Sequence, residues 1–288
     1  MIQYDILIIG AGAAGIAAAK AAAQAGCKNI LLVDRKQKPG GILLQCFHHG
    51  FGSDLNGPEY VQELLEYFPE EINWQPGTTV LSVSKEKTAV LSSSPKGRSV
   101  VSFKQLILAT GCRELPLGAL PIGGTRPAGV YTAGQMQAMM NLHGFLPESP
   151  AVILGSGDIG LVMANHMAER GIGVTLVEQR PQCGGMAKNR SCLKKYPIRL
   201  RCTTTVREVC GEKKLEGVIL TDGTFLPCRT LLVAAGLRPE RDLIWDLENE
   251  NWLHICGNCS TVHPIVEAVV SEGEQAGICA YENIRGSL

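Results

Sequence analysis

Two segments of this chain share one pattern, and that pattern admits few folds. In the first, the apolar run Ile6-Leu7-Ile8-Ile9 leads into Gly10-Ala11-Gly12-Ala13-Ala14-Gly15, a helical run, and then Leu31-Leu32-Val33-Asp34. In the second, Ala151-Val152-Ile153-Leu154 leads into Gly155-Ser156-Gly157-Asp158-Ile159-Gly160, a helical run, and then Thr175-Leu176-Val177-Glu178. Strand, glycine turn, helix, strand and terminal acid, in that order, make a parallel βαβ unit that binds a dinucleotide. One GxGxxG is weak evidence, because a tight turn needs no ligand. Two copies with complete flanks are far stronger, and two bound dinucleotides imply electrons passing between them.

The residue types follow from the ligand's chemistry. Gly10 and Gly155 permit the sharp turn out of the strand. Gly12 and Gly157 leave bare backbone for a doubly charged pyrophosphate, and Gly15 and Gly160 let the helix pack on the sheet. The helix N-terminus adds free N–H groups and a partial positive charge. Asp34 and Glu178 stand about 20 residues on, where a carboxylate accepts from ribose hydroxyls. An acid at Glu178 favours a free 2′-OH and repels a 2′-phosphate, so the sequence predicts NADH over NADPH. Arg180, just beyond, softens that bias.

Length and charge exclude other classes. At 288 residues the chain has room for two modest domains. Lys+Arg and Asp+Glu are 27 each, which removes any general pull toward nucleic acid or anionic membrane. No apolar run reaches the ~20 residues of a membrane span. The chain enters a strand by residue 5 without a basic leader, so no secretory signal is expected and the expected location is cytoplasmic. Its 11 cysteines, an odd number, then read as reduced thiols serving mainly as small apolar residues. The Ala-rich run from Ala11 to Ala25, with Gly12, Gly15, Lys20 and Gln24, reads as an amphipathic, tightly packed helix.

Between the fingerprints the pattern repeats. Residues 35–57 form a glycine-rich connection, and Pro58 to Phe68 reads as a helix. Residues 78–83 and 88–93 alternate like antiparallel strands, followed by a turn at Pro95-Lys96-Gly97. An apolar strand then ends in Ala109-Thr110-Gly111. Residues 112–134 read as a crossing linker. After the second unit, residues 198–226 alternate again, and a strand ends in Ala234-Ala235-Gly236. A final helix is expected from about Pro264 to Ala280. The expected fold class is α/β, with two Rossmann-like dinucleotide-binding domains carrying small β-meanders.

These motifs, with Gly257-Asn258 before the last helix, resemble the pyridine nucleotide–disulfide oxidoreductase superfamily over nearly the whole chain. The resemblance implies that the second domain is inserted in the first: an FAD-binding domain from 1–115 and 246–288, and an NAD(P)H-binding domain from 116–245. It implies cofactor contacts from Gly10, Gly12, Ala14, Gly15, Asp34, Arg35, Gly41, Val80, Thr110 and Gly111. It implies further contacts from Gly155, Gly157, Asp158, Ile159, Gly160, Glu178, Gly236, Gly257 and Asn258. Superfamily members usually carry Gly-Asp where this chain has Gly257-Asn258. Gly40 to Cys46, Leu154 to Gly160 and Cys256-Gly257-Asn258 are similar to flavoprotein subunits of sarcosine, opine and hydrogen-cyanide-forming dehydrogenases. They are more similar still to oxidoreductases that accompany glycerol-3-phosphate dehydrogenase-like partners. In those groups Asn in place of the Asp is usual. The implied partner is a second dehydrogenase flavoprotein subunit, and a homo-oligomer is left open.

Disulfide reductases carry two cysteines beside the flavin; here those positions correspond to Leu43 and His48, with Cys46 between them. Cys46 is a catalytic candidate through a sulfenic acid, with packing as the competing role. His48 is a candidate proton carrier, with a structural role competing. Cys256 and Cys259 form a CxxC, but no second CxxC completes a zinc site, and no metal is expected. The sequence thus predicts an FAD-dependent NADH oxidoreductase that hands electrons to an unidentified acceptor or partner subunit. The alternatives are a non-catalytic electron-relay or assembly subunit, and a thiol or peroxide reductase using Cys46.

Overall fold

The computed structural model describes residues 1–94 and 97–286. The turn expected at Pro95-Lys96 lies outside them. The chain divides into two compact units: Met1–Arg113 with Arg238–Leu288, and Glu114–Leu237. The return to the first unit comes at Arg238 rather than at residue 246. Ile244 and Leu247, fully buried against Phe103 and Trp252, belong to the core of the first unit.

In the first unit, strand β1 (Ile2–Ile9) runs into helix α1 (Ala13–Gln24) and strand β2 (Ile30–Val33). β1 pairs in parallel with β2 on one side and with the long strand Gly97–Leu108 on the other. Ile72–Gln75, which the sequence reading missed, extends the sheet beyond β2. The long strand serves two roles along one edge. Its first half pairs antiparallel with Thr88–Ser93, and its last residues pair in parallel with Leu253–Ile255 from the return segment.

Side chains alternate across this sheet. Ile6, Ile8, Ile30, Leu32 and Ile107 face α1, and Leu7, Ile9, Leu31, Val33 and Leu106 face the other core. α1 is not the amphipathic helix expected. Every residue from Ala13 to Ala23 except Lys20 is buried, and Lys20 Nζ reaches the Leu64 and Glu66 carbonyls at 2.9 and 2.8 Å. Helix α2 (Gly57–Leu65) carries those carbonyls at its C-terminal end.

The second unit stacks a parallel sheet between helices and a meander. Ala151–Leu154 pairs with Val174–Val177 and Thr230–Val233, and Val130–Thr132 lies at one edge. Residues 130–143, read in part as linker, instead form that edge strand and helix α3 (Ala133–His143). The signal was weak because polar Gln135, Gln137 and Asn141 flank the buried Met136 and Met140, and Gln137 is itself buried. Helix α4 (Asp158–Glu169) packs with α3 on Ile153, Leu176 and Leu232. On the other face, Val152, Leu154 and Val177 meet the antiparallel strands Val206–Cys210 and Gly217–Leu220. Two short helices follow, α5 (Ala187–Arg190) and α6 (Cys192–Lys195). Arg199–Arg201 pairs in parallel with Val174–Val177, so it belongs to the main sheet and not to the expected meander. The chain returns to close the first unit with helix α7 (Val266–Gly286). Gly273 and Gly277 of α7 lie so close to Ala14 and Ala18 of α1 that a Cβ on either would enter the α1 backbone.

Candidate functional site

Both glycine turns form the same cradle. Gly10 has φ +103° and Gly155 has φ +104°, conformations that favour glycine. A Cβ on either would run into the carbonyl of Ala109 or Ala234 respectively. A Cβ on Gly15 would strike the Gly10 carbonyl, and one on Gly160 the Gly155 carbonyl. Beside Gly12 and Gly157, by contrast, a Cβ would meet nothing within 4 Å. The first and third glycines are therefore set by packing, and the middle ones border open space. Helix caps point the same way. Asn56 caps α2 in a capping box with Glu59, and Thr132 caps α3, each with its own side chain. α1 and α4 are capped by Gly12 and Gly157 with no side-chain hydrogen bond. Their first amides are left for another acceptor.

Around the first cradle, Asp34 ends β2. Its Oδ2 accepts from the Ala11 N–H at 2.8 Å and its Oδ1 from the Lys36 N–H at 2.8 Å. Two of about four carboxylate lone-pair sites remain. The Gly40 N–H donates to the Ala11 carbonyl at 2.7 Å, and a Cβ on Gly41 (φ +58°) would lie 3.1 Å from Gly12 Cα. Gly111 (φ +75°) borders open space, and Arg35 is exposed.

Other expected positions are engaged inside the chain. The Thr110 hydroxyl donates to the Glu240 carbonyl at 2.6 Å. Val80 packs against the second core. Ala14 is buried where Gly257 (φ +69°) crosses it, 2.7 Å from the point a Gly257 Cβ would occupy. The Asn258 Oδ1 accepts from the His263 N–H at 2.9 Å, shaping the return loop. Sequence reasoning missed the partner that anchors this loop. Glu272 Oε2 accepts from the Gly257 N–H at 2.8 Å, and its Oε1 lies 2.8 Å from His263 Nε2. Glu272 stands one residue before Gly273, and a charged side chain beside a packing glycine was the available signal.

The second cradle is more heavily bonded. Glu178 is buried, and its Oε2 accepts from the Ser156 N–H at 3.0 Å and the Ser156 hydroxyl at 2.6 Å. Its Oε1 accepts from the Arg180 backbone N–H and from Nε, each at 3.0 Å. Desolvation pushes this carboxyl up, but the bonds from Arg180 and Ser156 overcome it and hold its pKa at about 2. Ser156, absent from the expected contacts, also accepts from the Gly184 N–H at 2.9 Å. Asp158 is occupied as well: its Oδ1 accepts from the Met186 N–H at 2.7 Å and from Asn189 Nδ2 at 2.6 Å. Ile159 is exposed, and Gly236 (φ +133°) lies against Leu115.

The thiol candidates are enclosed. Cys46 is buried, its Sγ lies 3.4 Å from the Ile42 carbonyl, and burial pushes its pKa up to about 12. Cys256 and Cys259 are buried too, and both thiols donate to the Leu108 carbonyl. Burial pushes the Cys256 thiol strongly upward. The half-buried His48 ring packs 5.1 Å from the Phe51 ring.

Comparison with known proteins agrees with this architecture. The family model described as pyridine nucleotide-disulphide oxidoreductase matches residues 4–255. The chain belongs to that family, which is built around FAD and a pyridine nucleotide. An opine oxidase subunit of Agrobacterium tumefaciens is 31% identical over 181 residues, 59% of this chain and 35% of that protein. The alpha subunit of sarcosine oxidase from Rhizobium meliloti is 33% identical over 226 residues, 73% of this chain and 21% of that protein. The chain thus spans about a third or less of the length of these relatives. Thioredoxin reductase of Treponema pallidum is 23% identical over 94% of this chain and 89% of its own. The crystal structure of T. acidophilum thioredoxin reductase superposes with a TM-score of 0.80 over 99% of this chain and 100% of its own. At 20% identity that is a likeness of fold. Among the described residues no helix is long and apolar enough to cross a membrane.

Proposed function

We propose that the first unit holds FAD, the second holds NADH, and the chain moves reducing equivalents from the nicotinamide to an acceptor on a partner subunit. The observation that carries this reading is the duplicated cradle. In each unit, packing dictates the outer glycines, while the middle one borders open space under an uncapped helix. That arrangement fits a pyrophosphate, whose oxygens take N–H bonds and whose charge the helix end favours. FAD, when bound, supplies the ring that accepts hydride and passes electrons on.

The residues of the chain do the rest. Gly12 and the first amides of α1 would receive one pyrophosphate, and the spare lone pairs of Asp34 would take ribose hydroxyls. Gly157 and the start of α4 would receive the other. Four donors already fill the Glu178 carboxylate, so it acts on the ribose chiefly through its charge, which disfavours a 2′-phosphate. Asp158 and Thr110 are positioning residues in this reading, because each ties the cradle to a neighbouring segment. The opine and sarcosine relatives are named as oxidase subunits, which supports an acceptor housed in another polypeptide. The thiol route lacks support, since Cys46 is a buried, protonated thiol and no cysteine lies between Thr125 and Gly155.

Spectroscopy tests the proposal. Purified or FAD-reconstituted protein should show flavin absorbance bands that bleach anaerobically on adding NADH. Bleaching by NADPH should be at least about tenfold less efficient, the effect of roughly 1.4 kcal/mol of discrimination. Protein that stays colourless after reconstitution would refute the flavin assignment. Flavin that ignores NADH would refute the second.

A further inference from the structure

The second unit carries a concentrated positive face that the cofactor reading does not use. Residues 188–201 hold Lys188, Arg190, Lys194, Lys195, Arg199 and Arg201, with no Asp or Glu among them. They lie on α5, on α6 and on Arg199–Arg201, the edge strand of the sheet. All but Arg201 are exposed. Leu193 and Leu200 pack into the core, which turns the charged residues of these elements outward. Counter-charge nearby is sparse: Glu169 stands near Lys195, and Asp222 near Arg201. Among the described residues, Lys188, Arg190, Lys194, Lys195 and Arg199 form no ion pair. A lysine- or arginine-lined edge strand is often only a guard against sheet extension. Six cations across two helices and a strand exceed what one three-residue edge needs.

The matching negative charge is on the same chain. Net charge is zero, so a surplus in one place implies a deficit in another. Residues 57–75 of the first unit hold five glutamates and no Lys or Arg. Lys28 pairs with Glu71, and among the described residues Lys20 bonds to the Leu64 and Glu66 carbonyls at the end of α2 and to no carboxylate. Glu59, Glu63 and Glu70 remain exposed on or just after α2, with Glu267 and Glu274 exposed on α7. Val266, Val269 and Val270 of α7 pack against the cluster that holds Tyr60 and Val61 of α2, so the exposed glutamates of these two helices lie on neighbouring elements and present one carboxylate face. Tyr67, 94% exposed and held at φ +53°, stands beside Glu66 just past α2. An exposed aromatic with a charged rim is the usual composition of a protein–protein anchor.

We propose that the cationic face of the second unit docks on the carboxylate face of the first unit in another copy of this chain. Neither face can pair with itself, because like charges meeting across an interface repel. The contact therefore joins unlike faces, exchanged reciprocally in a two-fold dimer or passed head to tail around a ring. Long-range attraction between the faces speeds association, and Tyr67 supplies desolvated contact area.

Sedimentation velocity across a salt series is the test, using the full chain. The Debye length falls from about 30 Å at 0.01 M to about 3 Å at 1 M salt. The wild type should sediment as a dimer or ring at low salt and as a monomer near 1 M. Lys188→Glu with Lys194→Glu should abolish association, as should Glu63→Lys with Glu70→Lys. Mixing the two reversed proteins 1:1 should restore it, since each then presents the complement of the other. All four positions are exposed, and circular dichroism checks that each variant folds. A wild-type monomer at every salt, or association unaffected by 1 M salt, overturns the proposal. So does failure of the mixed variants to associate. A duplex nucleic acid that binds the wild type through Lys188 and Lys194 at the same low salt would reassign the face and also overturn it.

Discussion

Gly12→Ala separates a folding role from a ligand role. The backbone at Gly12 has φ −79° and ψ −170°, an extended conformation open to alanine, and its Cβ would meet no atom within 4 Å. Alanine is a poorer N-cap than glycine by roughly 1 kcal/mol. Lost unfolded-state entropy returns about 0.4–1 kcal/mol. Stability should thus change by less than about 1 kcal/mol. Binding should change far more, because the methyl occupies the space proposed for a phosphate oxygen. Losing one hydrogen bond to a charged group removes about 1.5–3 kcal/mol, a weakening of about 10- to 150-fold. The assay pairs urea unfolding with FAD titration followed by flavin fluorescence. Gly157→Ala should leave FAD binding intact and raise the KM for NADH by a similar factor. A Gly12→Ala protein that is fully folded and binds FAD within about twofold of wild type would refute the cradle argument.

Three further outcomes follow from the geometry. Gly160→Ala drives a Cβ into the Gly155 carbonyl, so chemical unfolding of the second unit should register a loss of at least about 1–3 kcal/mol. Glu178 has a folded pKa of about 2, below the ordinary 4.5, so its contribution is present above about pH 4.5 and lost as pH falls toward 2. Arg180 is 64% exposed, which limits the effect to about 1–2 kcal/mol. Glu178→Gln should flatten the pH dependence of unfolding between pH 5 and about 2. Cys46, with its pKa at about 12 against 9.0 for a free thiol, should carry roughly a thousandth of the usual thiolate near pH 8. It should resist iodoacetamide, and Cys46→Ser should leave NADH turnover unchanged; rapid labelling would contradict the burial argument.

The repeated βαβ units were legible because their signals are local. An apolar run, glycines at fixed spacing and a terminal acid all lie within about 30 residues, and backbone sterics dictate them. Thr78–Val83 and Thr88–Ser93 were legible for a similar reason, since alternation is a property of the strand itself. The parallel strand at Ile72–Gln75 was not. Only its pairing with β2 defines it, and four residues carry no period. Arg199–Arg201 looked like part of a meander because its partner, Val174–Val177, is remote in sequence. In the sites, residue types gave the glycines and the acids but not their occupancy. Nothing local reveals that Ser156 and Arg180 fill the Glu178 carboxylate, or that Met186 and Asn189 fill Asp158. α1 was misjudged as amphipathic because alanine takes either environment, and the burial of its outer side comes from α7, more than 240 residues away.

That distant closure orders events during synthesis. The second unit, Glu114–Leu237, is continuous in sequence and can mature as soon as it leaves the ribosome. The flanking half cannot, because α1 lacks its cover until Gly273 and Gly277 have been made. An alanine-rich surface therefore stays wet until α7 emerges. The first unit should accordingly be completed only after residue 277 has been made, and a ribosome stalled before residue 273 should display a folded second unit beside an unfinished first.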